Sequence, residues 1–399
     1  MVLQKFSVPY EYPVYFTRRV FDGGNPLLAD VMDRLGEKRR HRAAVYIDAG
    51  VVAAHPQLLD EIKEYFHARP ESLELCSVPV LVPGGEAAKA GWAAVRDTMW
   101  TIGNLHLDRQ SFIIAVGGGG VLDMVGFATA IVHRGLRLIR VPTTTLSQND
   151  AGVGVKNGMN EHGMKNFVGT FAPPFAVLDD FSFLPTLSQR DWIGGVAEAF
   201  KVAIIKDAEF FEFLCAQAKA LRDRQQGPME ELVRRCAVMH LEHIRGGGDP
   251  FEFGSARPLD FGHWAAHKLE VMTGFGIGHG QAVAVGIALD SFIAMKQGLL
   301  ARGPFERIVG GLLDCGLPIW CESLDARAAD GELVVLEGLE QFREHLGGVL
   351  SVTLPQGIGQ KVEVHHISPD AVEEAVAFLR DAGGGSQGWP PPRTEGTKC

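Results

Sequence analysis

A chain of 399 residues, 46% hydrophobic and 22% charged, is long enough for about two or three domains with ordinary buried cores. Its net charge of -10 offers no basic stripe for nucleic acid, and no apolar run reaches the length of a membrane span. The N-terminus lacks the charged-then-apolar layout of a signal peptide, and six scattered cysteines without a Cys-x-x-Cys pair indicate neither a disulfide framework nor a thiolate zinc site, so a reducing cytoplasm is expected.

In chain order, the first half alternates short β-rich runs with amphipathic stretches. Strands are predicted at Ala43 to Ile47, ending at Asp48, and at Val78 to Val82, closed by Pro83-Gly-Gly-Glu86. Two more are predicted at Phe112 to Val116, running into Gly117-Gly-Gly-Gly120, and at Leu138 to Val141, stopped by Pro142. Helical stretches such as Leu58 to His67 and Ala87 to Thr101 lie between them. The alternation predicts an α/β domain with a Rossmann-like parallel sheet over residues 1–184. Beyond Leu184 strand signals become scarce. Helices are expected at Gly195 to Ile205, Phe210 to Leu221, Met229 to Ile244, Leu259 to Met272 and Gln281 to Gln297, with a late hairpin from Ser351 to Leu354 and Val362 to Val364. This makes 185–382 a mainly helical second domain, and the Gly/Pro-rich segment 383–399 is expected to be disordered. No internal repeat is visible.

Three features of this layout bear on chemistry. The run Val116-Gly-Gly-Gly-Gly120-Val-Leu-Asp123 follows a strand and opens a helix. It reads either as a tight turn or as a cradle in which free N–H groups meet a pyrophosphate. Asp48 stands where a carboxylate could accept from ribose hydroxyls, or is a plain loop residue. Pro142-Thr-Thr-Thr145 through Asp150 to Lys156 is a polar loop after a buried strand, the usual place for ligands in a parallel sheet.

In the second half, Glu198 and Lys201 are three apart among apolar neighbours. They form either a surface ion pair or part of a buried site. His263 and His267 share a helical face, and His279 follows on what reads as a Gly-bounded loop. Neutral imidazoles are common zinc ligands and a catalytic zinc takes three protein ligands, so spacing alone favours His263 and His267 as a pair, with His279 or Glu198 completing the set.

Taken together these residues resemble the dehydroquinate synthase family, the sugar phosphate cyclases, from about Asp48 to Gly359. The matching motifs are Gly84-Gly-Glu86-x-x-Lys89, Gly117-Gly-Gly-x-x-x-Asp123, Arg134-Gly, Pro142-Thr-Thr, Asp150 with Lys156, Lys165-Asn166, Glu198-x-x-Lys201, Phe261-Gly-His263-x3-His267 and His279-Gly280. Within that family the chain looks nearest to the dehydroquinate-synthase-like proteins of Ebo-type gene clusters. The resemblance implies a divalent metal, Zn2+ in family terms, held by Glu198, His263 and His279, which leaves His267 to contact substrate or support a ligand. It implies NAD held by Asp48, Glu86, Lys89 and Lys165, with Gly117, Gly118 and Gly119 under the pyrophosphate and Asp123, Thr143 and Thr144 nearer the nicotinamide. Asp150, Lys156, Asn166 and Lys201 would surround a sugar phosphate, with Arg134 reaching the phosphate of the partner subunit in a homodimer. The implied reaction oxidises a ring alcohol, eliminates phosphate, restores the hydride and closes a carbocycle by an aldol step, with the metal polarising oxygens.

The match departs at the substrate end away from phosphate. Asp260 stands where dehydroquinate synthases carry Asn, His240 replaces an upstream Lys, and Arg343 or His345 occupies the place of a late Lys. The segment Gly246 to Gly254 breaks the usual spacing and puts the role of Arg257 in doubt. Fewer lysines and a new carboxylate disfavour a substrate carboxylate, which points to a neutral heptulose such as sedoheptulose 7-phosphate. An NAD-linked, metal-dependent alcohol or polyol dehydrogenase shares the same fold landmarks and is the competing reading, and a non-catalytic relative is a third.

Overall fold

A computed structural model describes residues 1–246, 251 and 258–383. Arg257 and the segment 384–399 therefore lie outside the described residues. The chain divides into two compact units, Met1–Thr186 and Leu187–Cys399.

The first unit is built on β1 (Val14–Thr17), β2 (His41–Asp48), β3 (Leu73–Leu75), β4 (Val80–Val82), β5 (Phe112–Gly117), β6 (Arg137–Pro142), β7 (Lys156–Glu161), β8 (Met164–Phe171) and β9 (Ala176–Asp180). Strand order is β1-β9-β6-β5-β2-β3, with β4 also pairing β2, and every registered pair of this sheet is parallel. Strand β5 is buried at all six positions, which is why its sequence is a continuous apolar run rather than an alternation. Its residues nevertheless part by period two. Phe112, Ile114 and Val116 join Ala43, Val45 and Ile47 of β2 in one core, while Ile113 and Ala115 join Ala44 and Tyr46 in another. The first core is closed by α1 (Leu27–Met32) and α3 (Leu58–His67), which follows α2 (Ala49–Ala54). The second is closed by α4 (Ala93–Asn104) and α5 (Gly119–Ile131).

After β2 the chain runs outward to β3 and β4, then returns to β5 on the other side of β2. The sheet thus has a switch point between the ends of β2 and β5, where open α/β sheets bind ligands.

The four predicted strands are present. The predicted helix Ala87 to Thr101 is instead a 3-10 turn at Gly85–Lys89 followed by α4, because Gly91 takes a φ of 73° that interrupts the helix. The hairpin β7–β8 was not predicted. Lys-Asn-Gly-Met-Asn-Glu has no apolar alternation, and its pairing depends on tertiary neighbours.

The second unit contains α6 (Gln189–Lys206), α7 (Ala208–Arg222), α8 (Gln226–Gly246), α9 (His263–Met272), α10 (His279–Lys296), α11 (Arg302–Asp314), α12 (Glu337–His345) and α13 (Pro369–Gly383), with the antiparallel pair β10 (Val352–Pro355) and β11 (Lys361–Val364). Helix α10 packs against α6, α9, α11 and α13 and is buried from Gly280 to Ala294, hence mostly apolar on every face. No helix among the described residues is long and apolar enough to cross a membrane.

Candidate active site

In the first unit the candidate residues gather at the carboxyl ends of the strands. Asp48 ends β2, and its Oδ1 accepts from Gly50 N at 2.8 Å, capping α2. A Cβ at Gly84 would lie 2.4 Å from that same oxygen, so only glycine lets this turn rest on the carboxylate. Gly117 ends β5, Gly118 caps α5 and Gly119 begins it. A side chain added at Gly118 would press on Thr144, 3.2 Å from its Cβ, whereas one at Gly119 would meet Ala151 at an ordinary 3.4 Å. Thr143 N donates to Gly117 O at 3.0 Å, and Thr144 Oγ1 hydrogen-bonds Ser147 Oγ at 2.9 Å. A π-helical turn, Ser147–Ala151, carries Asp150. Lys156, exposed, opens β7.

Arg140 fixes the stretch between Asp150 and Lys156. Fully buried on β6, its guanidinium donates to Gly152 O (3.0 Å), Gly154 O (2.7 Å), Lys156 O (2.9 Å) and Asn157 Oδ1 (2.7 Å). Burial pulls its pKa below the ordinary arginine value, against the opposing charge of Asp123.

Five more candidates form one network. Lys89, 3% exposed, donates to Asp123 Oδ2 at 2.6 Å and also to Asn166 Oδ1. Lys165 Nζ lies 3.3 Å from Glu86 Oε1, and Asn160 links Glu86 Oε2 (2.8 Å) to the backbone N of Asn166 (3.0 Å). Asn166 sits at φ 55°, in the left-handed region that Asn tolerates best among side-chain-bearing residues. Asp123 is the fifth residue of α5 rather than its cap, so it serves Lys89 more than the helix dipole. Arg134 stands apart and exposed on a corner after α5, where His133, Arg134 and Gly135 have φ of 52°, 64° and 112°.

In the second unit three helices bring Glu198, His263 and His279 together. Ser188 caps α6, and Glu198, fully buried, sits mid-helix with Lys201 one turn on and paired to its Oε2. Glu198 Oε1 lies 3.6 Å from His263 Nε2 and 3.3 Å from His279 Nε2. One donor atom from each residue falls within 4.8 Å of the others. His279 is the first residue of α10, not a loop residue as its spacing predicts, because Gly278 already serves as the N-cap.

Both imidazoles have their rings set by hydrogen bonds at Nδ1. His263 Nδ1 donates to Phe261 O at 3.0 Å and His279 Nδ1 to Glu270 Oε2 at 3.0 Å, which leaves each Nε2 facing Glu198. Burial, then the neighbouring Lys201, pull His263 down to about 4 against the pull of Glu198, so it stays neutral at ordinary pH. The start of α9 is itself pinned. Gly262, at φ 78°, donates its N–H to Asp290 Oδ2 (2.9 Å), and Trp264 Nε1 donates to Asp290 Oδ1 (2.8 Å).

Two imidazoles and a carboxylate that converge on one point are a donor set that fits a divalent d-block cation. His267 is half-buried beside this set, its ring 5.3 Å from His263 and stacked 6.0 Å from His279. Asp260 ends the 3-10 turn before α9 and His240 lies half-buried on α8. Arg343 is exposed on α12 and paired with Glu340 at 2.6 Å. Asn160, Arg140, Glu270 and Asp290 escape a reading by motif. Arg140 and Asp290 are single charges within apolar runs, and Glu270 lies three residues after His267 on one helical face, which are the signals that could have found them.

Comparison with known proteins accords with this layout. The 3-dehydroquinate synthase N-terminal family model matches residues 79–194 and the C-terminal one residues 195–334. The chain belongs to the 3-dehydroquinate synthase family, a family of sugar phosphate cyclases. Among its relatives, the 3-dehydroquinate synthase of Paracoccus denitrificans is 33% identical over 346 residues, covering 85% of this chain and 90% of that protein. The 2-epi-valiolone synthase of Actinosynnema mirum is 32% identical over 330 residues, covering 81% and 85%. Among solved structures, ValA, the 2-epi-5-epi-valiolone synthase of Streptomyces hygroscopicus with NAD+ and Zn2+ bound, superposes with a TM-score of 0.84 at 28% identity over 96% of this chain and 100% of that one.

Proposed function

We propose that this enzyme converts a heptulose phosphate to a carbocycle with loss of phosphate, using NAD and a divalent metal, and that a neutral heptulose such as sedoheptulose 7-phosphate is its substrate. The observation that carries the reading is the meeting of Glu198, His263 and His279 with both imidazole Nε2 atoms turned to one carboxylate. We assign these three residues to the metal. Asp48, Gly117 to Gly119, Thr143, Thr144 and the network of Glu86, Lys89, Asp123 and Lys165 are assigned to NAD, in keeping with the switch point at which they gather. When bound, NAD supplies a hydride acceptor and the metal a Lewis acid for substrate oxygens.

The chain's own groups have the remaining work. Lys156, Lys201 and Arg134 are the cations assigned to substrate phosphate, Arg134 acting across a homodimer. Asp150, Asn166 and His267 are assigned to substrate hydroxyls and to the proton exchanged there. Asp260 carries the substrate preference: a carboxylate at this place repels a substrate carboxylate but accepts from a hydroxymethyl group. The relatedness to two valiolone synthases supports that choice over the carboxylated heptulosonate.

The test is phosphate release by purified protein supplied with NAD+ and Zn2+, given sedoheptulose 7-phosphate or 3-deoxy-arabino-heptulosonate 7-phosphate. Release from the neutral sugar is expected. Release from the carboxylated sugar alone overturns the preference. Release from neither, with steady NADH formation from a simple polyol, overturns cyclase chemistry in favour of a dehydrogenase.

A further inference from the structure

We infer that Glu270 is a positioning residue for the metal centre, holding His279 in its ligating tautomer; this rests on the assignment of Glu198, His263 and His279 to a metal. Glu270 is 1% exposed and lies on α9 seven residues after His263, hence on the same helical face. Its Oε2 is 3.0 Å from His279 Nδ1. His279 opens α10, so no preceding helical turn exists to constrain its ring, and the hydrogen bond to Glu270 supplies the constraint.

The two imidazoles are therefore held unequally. His263 leans on a neutral carbonyl, Phe261 O, while His279 leans on a buried carboxylate. A carboxylate at Nδ1 both fixes the tautomer and raises the basicity of Nε2, making His279 the stronger donor of the pair. Glu270 also adds a negative charge near the centre, where Lys201 already offsets Glu198. The net negative charge that this extra carboxylate leaves favours a bound cation.

A rival arrangement exists in the same residues. His267, Glu270 and His279 also offer donor atoms within 4.8 Å of one another, so Glu270 could itself be a ligand. The two roles separate by substitution. Metal-free wild-type, Glu270→Gln, Glu270→Ala and Glu198→Ala proteins would be titrated with Zn2+ against a chromophoric chelator, and the Co2+ forms compared by visible absorption.

The positioning role predicts Zn2+ affinity about tenfold weaker in Glu270→Gln and up to about 100-fold weaker in Glu270→Ala. It also predicts a displaced Co2+ band in Glu270→Gln, unchanged melting of that metal-free variant, and loss of binding in Glu198→Ala. Wild-type affinity and an unmoved Co2+ band in both Glu270 variants overturn the inference while leaving the metal assignment intact. Loss of metal in Glu270→Ala with retention in Glu198→Ala overturns it in favour of the rival cluster. A wild-type protein that binds neither Zn2+ nor Co2+ sinks the functional reading itself.

Discussion

Under the proposed function, replacing Gly280 by alanine should dismantle the metal centre without altering any of the three residues assigned to the metal. A Cβ at Gly280 would stand 2.0 Å from Gly194 O and 2.5 Å from both the carbonyl carbon and the Cα of Gly194. These are backbone atoms of α6 and cannot rotate aside. Reaching ordinary contact at 3.4 Å requires the start of α10 to retreat from α6 by about 1.4 Å. His279 is the adjoining residue of α10, and Glu198 lies one turn along α6 from Gly194. Metal–ligand distances tolerate about 0.2 Å, so the retreat is several times what the donor set can absorb. The overpacking itself costs about 1–3 kcal/mol. Zinc titration and thermal melting of the metal-free protein read the two effects separately. Gly310→Ala on α11, where a Cβ meets nothing within 4 Å, is the control and should be neutral or stabilising by up to about 1 kcal/mol. A Gly280→Ala protein with wild-type melting and wild-type zinc affinity would refute the reasoning.

Further outcomes follow from the same structure. Arg140→Met leaves three backbone carbonyls and Asn157 without their buried donor, and should cost about 3–5 kcal/mol by urea unfolding; a loss under 1 kcal/mol would contradict the role given to the guanidinium. Burial raises Asp290 to about 7 against two hydrogen bonds that lower it. Because the unfolded chain sheds this proton near pH 4 while the folded one keeps it, the stabilisation is whole below that pH. It fades as pH rises to about 7, by at most about 4 kcal/mol. Asp290→Asn should flatten the slope, and equal slopes of unfolding free energy against pH in the two proteins would exclude it. Lys89→Met removes the cation between Asp123 and Asn166 and, under the proposed function, should weaken NAD+ binding about tenfold by calorimetry.

The parallel sheet was legible because its strands are buried on both faces and write themselves as apolar runs, as at Phe112 to Val116. Strand β9, Ala-Val-Leu-Asp-Asp, is equally buried, but its two carboxylates broke the run; Asp180 is in fact spent on the backbone N–H groups of Arg19 and Val20. The members of the Lys89 network could be named one by one from motifs, yet their mutual contacts depend on a hairpin whose polar sequence carries no periodic signal. In the helical unit, spacing placed His263 and His267 on one face correctly. Spacing cannot say which of two neighbours turns its lone pair toward Glu198, a residue sixty-five positions earlier in sequence. Glu270 and Asp290 act by orienting other groups, and orientation is written in three dimensions only.

The corner at His133 and Arg134 bears on how this enzyme would respond to directed stabilisation. Two side-chain-bearing residues in succession are wound in the sense that L-amino acids resist, at roughly 1 kcal/mol each. Glycine at either site relaxes the bend and should raise the melting temperature. At His133 the exchange discards only an exposed imidazole; at Arg134 it discards a cation assigned to a neighbouring subunit's substrate. Selection for heat resistance alone would accept both changes, and only turnover would tell them apart.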